Sequence, residues 1–110
     1  MRDLTNVLTA IAHPTRRAII SRLATSGPTR FTDVAEPLEM NLNAVTKHLE
    51  MLDRAGLITR DKQGREVFIS LHPEPLRQVA TWVHEYEHFW NKRLDEFEKH
   101  FKNKRLKKKK

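Results

Sequence analysis

Helical periodicity in five stretches, a glycine-turned pair of alternating segments after the fourth, and a long aromatic-rich last helix predict a mainly α chain with one small β-hairpin, α+β in class. At 110 residues the chain is expected to be one domain with a modest core, small enough that extra stability would come from a second copy.

The first element runs over residues 4–12, where Leu4, Val7, Leu8 and Ile11 recur at helical spacing and give an apolar side that needs a partner. His13-Pro14 breaks it. Pro14 suits a helix start, and Ala18, Ile19, Leu23 and Ala24 form the expected buried side of the second helix, closed by Gly27-Pro28. Arg16, Arg17 and Arg22 fall largely outside, as phosphate contacts or as solvated helix charges.

Thr32 is the expected cap of a short third helix through Leu38, with Pro37 near its end. The fourth helix is the best marked. Asn41 is a good N-cap, Gly56 supplies the left-handed stop, and Val45, Leu49 and Leu52 make one core stripe. Asn43, Thr46, Lys47, Glu50 and Arg54 project the other way. An Asn can pair with an adenine edge, a Thr can bond a base or touch a thymine methyl, and a Lys can reach guanine or phosphate. Short helix, tight turn and longer polar-faced helix together form a helix-turn-helix.

After Gly56 the spacing changes to extended segments, Leu57 to Arg60 and Glu66 to Leu71, with residues 61–65 as the hairpin tip. Gly64 suits a positive φ, and Lys62 and Arg65 are expected on a projecting loop that can enter a minor groove or bind phosphate. A basic hairpin directly after a helix-turn-helix is a wing. His72-Pro73-Glu74-Pro75 then introduces a last helix from about Leu76 to Phe101, within a C-terminal dimerisation segment of about residues 74–101. Leu76, Val79, Val83, Tyr86, Trp90 and Phe97 follow a heptad-like spacing, and Trp82, Phe89, Leu94 and Phe101 widen it beyond what one small domain can cover. A twofold dimer through the first and last helices is therefore expected, with Leu4, Leu8, Val79, Val83, Tyr86 and Trp90 in its interface.

Charge belongs mainly to the end of the chain. The net charge is +7, and residues 102–110 carry seven Lys and Arg, so residues 1–101 sum to zero. Within them, residues 1–72 hold ten basic and eight acidic side chains, and residues 73–101 four and six, a weak asymmetry pointing nucleic acid to the first part. The tail, residues 102–110, is low in complexity and expected to be disordered. With no cysteine, disulfides and thiolate metal sites are excluded. No apolar run is long enough to span a membrane and no secretion leader is legible, so a cytoplasmic protein is expected. No nucleophile with a base, phosphate-cradling glycine loop or paired-carboxylate pocket is legible, which argues against an enzyme, and no cofactor is implied.

Against this background the residues resemble the ArsR-type (arsenic-repressor-like) winged-helix transcriptional regulators of bacteria and archaea. The resemblance covers residues 4–101 and rests on Ala12-His13-Pro14-Thr15-Arg16-Arg17-Ala18-Ile19-Ile20, on Ala44-Val45-Thr46-Lys47-His48-Leu49 through Ala55-Gly56-Leu57-Ile58, and on Gly64-Arg65. The run from Trp82 through Phe89-Trp90-Asn91-Lys92-Arg93-Leu94-Asp95 is similar to the branch without a recognisable metal site. The resemblance implies a homodimer that binds palindromic double-stranded DNA, usually as a repressor. Asn43, Thr46 and Lys47 carry over as base-reading positions and Arg65 as a wing contact, with Asn41, Ala44 and Lys62 beside them as candidate contacts. His48 matches a family histidine, and its place at the edge of the core stripe favours packing and hydrogen bonding.

Metal sensors of the family use cysteines in the helix that here reads Asp33-Val34-Ala35-Glu36-Pro37-Leu38, so that route is closed. His84 and His88, at i and i+4 on the last helix, have the spacing to clip zinc or nickel with a partner carboxylate, the alternative being ordinary solvated side chains. No metal is assigned, and no effector site is legible. The function expected is sequence-specific transcriptional regulation; the alternatives are a winged-helix protein-docking module using the aromatic surface of the last helix, and a metal-responsive repressor using His84 and His88.

Overall fold

The computed structural model describes residues 4–108, with side chains through residue 103. Its elements are α1 (Leu4–Ile11), α2 (Pro14–Ser26), β1 (Thr29–Arg30), α3 (Phe31–Ala35) continued by a 3₁₀ turn (Glu36–Leu38), α4 (Leu42–Arg54), β2 (Ile58–Gln63), β3 (Glu66–Leu71), α5 (Glu74–Glu85) and α6 (Glu87–Lys108). The chain divides into two compact units, one ending at Val79 and one beginning at Ala80.

The first unit is a helical core closed by a three-stranded antiparallel sheet in the order β1-β3-β2. Val7 and Ala10 of α1, Ile19 and Leu23 of α2, Val34 of α3, the α4 stripe Val45, Leu49 and Leu52, and Leu57, Ile58 and Ile69 from the sheet side are all buried. In α2 only part of the expected side is buried: Ala18 and Ala24 are exposed. Helix spacing put all four on one side, but a short alanine at the margin of the stripe reaches no partner.

Helix ends explain why α2 and α4 begin and stop where they do. Pro14 opens α2, the His13 ring accepts from the Thr15 amide at 3.1 Å, and Gly27 closes it at φ 71°. The Asn41 side-chain oxygen accepts from the Ala44 amide at 2.8 Å. At the other end Gly56 lies at φ 75°, its amide donates to Asp53 O and the Leu57 amide to Leu52 O, both at 2.9 Å. This paired closure satisfies the last carbonyls and turns the chain directly into β2.

Four expectations are corrected. Thr32 does not cap the third helix: it lies inside α3, whose cap position is Arg30 with no side-chain cap bond. The cause is β1, which pairs Thr29 with Ile69 and Arg30 with Phe68 and so fixes the helix start two residues earlier. The wing strands run further than expected, to Gln63 and from Glu66, so Lys62 sits in β2 opposite Val67 and the tip shrinks to Gly64-Arg65, with Gly64 at φ 64°.

The last helix is two. It starts at Glu74, since Pro75 is tolerated in a first turn, and it breaks at Tyr86, whose amide donates to Val83 O at 3.0 Å in a tight 3₁₀-type turn before Trp90 N bonds Tyr86 O. No glycine or proline marks that joint, so apolar spacing runs through it unbroken. Finally, α6 continues to Lys108 through most of the stretch expected to be disordered. Leu, Lys and Arg are good helix formers and cations favour a helix C-terminus, which extends the helix despite charge repulsion. Lys109 and Lys110 lie outside the described residues.

Candidate nucleic-acid interface

Burying Val45, Leu49 and Leu52 dictates what α4 shows on its other side. Asn43, Lys47 and Glu50 are exposed there, with Thr46 and Ala44 half-buried beside them. The expected base-reading trio of Asn43, Thr46 and Lys47 thus shares one outward face. Asn41 precedes it, its oxygen already accepting in the cap and its amide NH₂ left as the donor for another partner. On the wing, Lys62 and Arg65 are exposed, Lys62 on β2 and Arg65 in the turn.

Two features of this surface were not read from the sequence. Leu42, the first residue of α4, is 61% exposed, an apolar side chain at the start of the helix that meets solvent. Spacing puts it three and seven residues before Val45 and Leu49, in line with the core stripe, and it is exposed because the first turn carries it beyond the buried cluster. Arg60 Nε also comes to 4.0 Å from Asp53 Oδ2, linking the base of the wing to the last turn of α4.

Behind the reading face, two of the α2 arginines do structural work. Arg16 donates from Nε to Ala10 O at 2.6 Å and from Nη2 to Thr9 O at 3.1 Å, while Arg17 Nη1 donates to Ile11 O at 2.8 Å. Three carbonyls at the end of α1 are thereby satisfied by charged donors. Arg16 Nη1 also lies 3.3 Å from His48 Nδ1, whose ring is 4.6 Å from that of His13. A guanidinium can only donate, so His48 accepts at Nδ1 and carries its proton on Nε2. Burial first, then the neighbouring His13 and Arg16, hold the His48 pKa below its ordinary value. His48 is half-buried within this network, tying α1, α2 and α4 together.

The expected interface residues divide between the units. Leu4, Leu8 and Val79 of the first unit are half-buried; in the second, Val83 is half-buried and Tyr86 and Trp90 are exposed. His84 Nδ1 pairs with Glu87 Oε2 at 2.6 Å across the α5–α6 joint, and His88 is exposed. Among the described residues no three His, Cys, Asp or Glu side chains converge as metal donors. No described helix is long and apolar enough to cross a membrane.

A capped helix with a polar outward face, preceded by a short helix and tight turn and followed by a basic two-stranded wing, defines a winged helix-turn-helix DNA-binding protein. A helix-turn-helix domain family matches residues 11–61. The transcriptional repressor SdpR of Bacillus subtilis is 30% identical over 80 residues, covering 73% of this chain and 88% of SdpR. The transcriptional regulator NmtR of Mycobacterium tuberculosis is 34% identical over 77 residues, covering 70% of this chain but only 63% of NmtR. A crystal structure of an ArsR family transcriptional regulator superposes with a TM-score of 0.73 at 34% identity, covering 83% of this chain and 97% of that one. The chain belongs to the ArsR family of DNA-binding transcriptional regulators, which are not enzymes.

Proposed function

We propose that the chain represses transcription as a homodimer on a palindromic operator, with α4 in the major groove and the wing beside it. The observation that carries this reading is the outward face of α4, where Asn43 and Lys47 are exposed directly opposite the buried Val45, Leu49 and Leu52. Hydrogen-bonding side chains on a helix anchored so firmly are poised for base edges. In a twofold dimer two such helices about 34 Å apart enter successive major grooves on one side of the duplex. Lys62 and Arg65 meet phosphate or minor groove, and Asn43, Thr46 and Lys47 choose the sequence. SdpR, a repressor by name, supports the direction of control.

Fluorescence anisotropy of the full chain on the DNA upstream of its own gene tests this, with Lys47→Ala and Arg65→Ala as variants. Lys47→Ala should cost about 1–3 kcal/mol and relax the preference at one base position; Arg65→Ala should weaken all sequences alike and lower the salt slope by about 1. Unchanged affinity in both variants would overturn the proposal.

A further inference from the structure

Between α3 and the wing lies a pocket of about 280 Å³ whose floor is Leu49 and Ile69, both buried, with Phe31 and Val67 half-buried around them. Its rim carries Arg30, Arg60, Arg65 and Glu66. Arg30 is spoken for: it donates to Asp33 at 3.0 Å and to Glu66 at 3.1 Å, so its single charge is shared between two carboxylates. The other two keep donors free. Arg60 has one ion pair, with Asp53 at 4.0 Å and beyond hydrogen-bond reach, and among the described residues Arg65 makes no hydrogen bond or ion pair. An apolar floor under two guanidinium groups with unused donors matches a ligand with an apolar body and a planar anionic head, because guanidinium binds carboxylate in a two-pronged fashion. The volume sits just below the range of about 300–1,000 Å³ typical of small-molecule sites, which sets the size of the ligand.

We propose that this pocket binds a small aromatic or aliphatic carboxylate and serves as an effector site. The carboxylate head engages Arg60 and Arg65 while the hydrocarbon body covers Leu49 and Val67. Because Arg65 also belongs to the proposed DNA contacts, the occupied pocket withdraws one of them; this consequence rests on the operator-binding reading, whereas ligand binding does not.

Isothermal titration of the full chain with 1-naphthoate, without DNA, tests the site directly. One saturable site is expected, weakened about tenfold or more in the double variant Arg60→Gln/Arg65→Gln and for the neutral analogue 1-naphthalenemethanol. Thr32→Trp, at an exposed position lining the mouth, should block binding while leaving both arginines in place. Absence of saturation, equal binding of the neutral alcohol, or binding unchanged in both variants overturns the proposal. Anisotropy on operator DNA at saturating naphthoate then reads the consequence: a several-fold loss of affinity is expected in the native chain and none in Thr32→Trp, and unchanged affinity overturns the effector role. A chain that binds DNA but not naphthoate removes the pocket alone, and one that binds naphthoate but no DNA removes the operator reading alone.

Discussion

His48 shows how one side chain couples packing to solution conditions. Its ring is half-buried, accepts at Nδ1 from Arg16 and faces His13, so protonation would desolvate a charge, destroy an acceptor and place two cations together. Its folded pKa is accordingly held below the ordinary 6.5. Between those two values the unfolded chain binds more protons, so stability rises with pH there. The contribution of His48 is complete above the unfolded value of 6.5 and is lost as pH falls through it towards the folded pKa. Urea unfolding over pH about 7.5 to about 5 should show this decline, less steep in His48→Gln, which keeps an acceptor but does not titrate. An identical decline in the variant would assign the effect elsewhere. The sequence placed His48 at the edge of the stripe because that needs only helical spacing; its partners Arg16 and His13 sit more than thirty positions upstream, and no local spacing reveals them.

Secondary-structure elements were legible where their determinants are local and hidden where they are not. The limits of α4 follow from a three-residue stripe within the helix and from Asn41 and Gly56 flanking it. By contrast β1 is two residues long and exists only because β3 pairs with it some forty positions later. The α5–α6 joint has no breaker residue, and the closure of α1 depends on arginines from α2 that read in sequence as surface charges. That closure makes a test at this scale. Ala10 is buried, yet the residue four positions on is Pro14, which has no amide to offer its carbonyl, and Arg16 supplies the missing donor at 2.6 Å. A hydrogen bond to a charged group contributes about 1.5–3 kcal/mol, so Arg16→Ala should destabilise the fold by about that much, whereas Arg22→Ala, exposed on the same helix, should stay within about 0.5 kcal/mol. Amide exchange in α1 should accelerate in the Arg16 variant before that of α4. Equal effects of the two substitutions would show that α1 is held by its apolar contacts alone.

For the molecule as a whole, the decisive feature is apolar surface that its own unit leaves uncovered. In the second unit Trp82, Tyr86, Phe89, Trp90, Leu94, Phe97 and Phe101 are each 41–63% exposed. Trp90, Leu94, Phe97 and Phe101 recur at helical spacing, and Phe97 and Phe101 already pack with ring centres 4.7 Å apart and planes tilted by 59°, which leaves a continuous stripe on α6. Full burial of one such side chain contributes about 1.5–3 kcal/mol, and soluble monomers seldom leave so many in one stripe. On the proposed dimer this stripe, with Val83 and Tyr86 from the end of the preceding helix and its joint, meets its symmetry mate. Trp90→Glu combined with Leu94→Glu puts four carboxylates into that seam per dimer and should give a monomer by sedimentation equilibrium. The first unit should remain folded by circular dichroism, because neither residue belongs to it. Operator affinity should then fall by about 10²-fold or more, since the second half-site no longer binds at high effective concentration. A variant that stays dimeric would move the interface to another surface, and a monomer with full operator affinity would show that one winged helix reads the DNA alone.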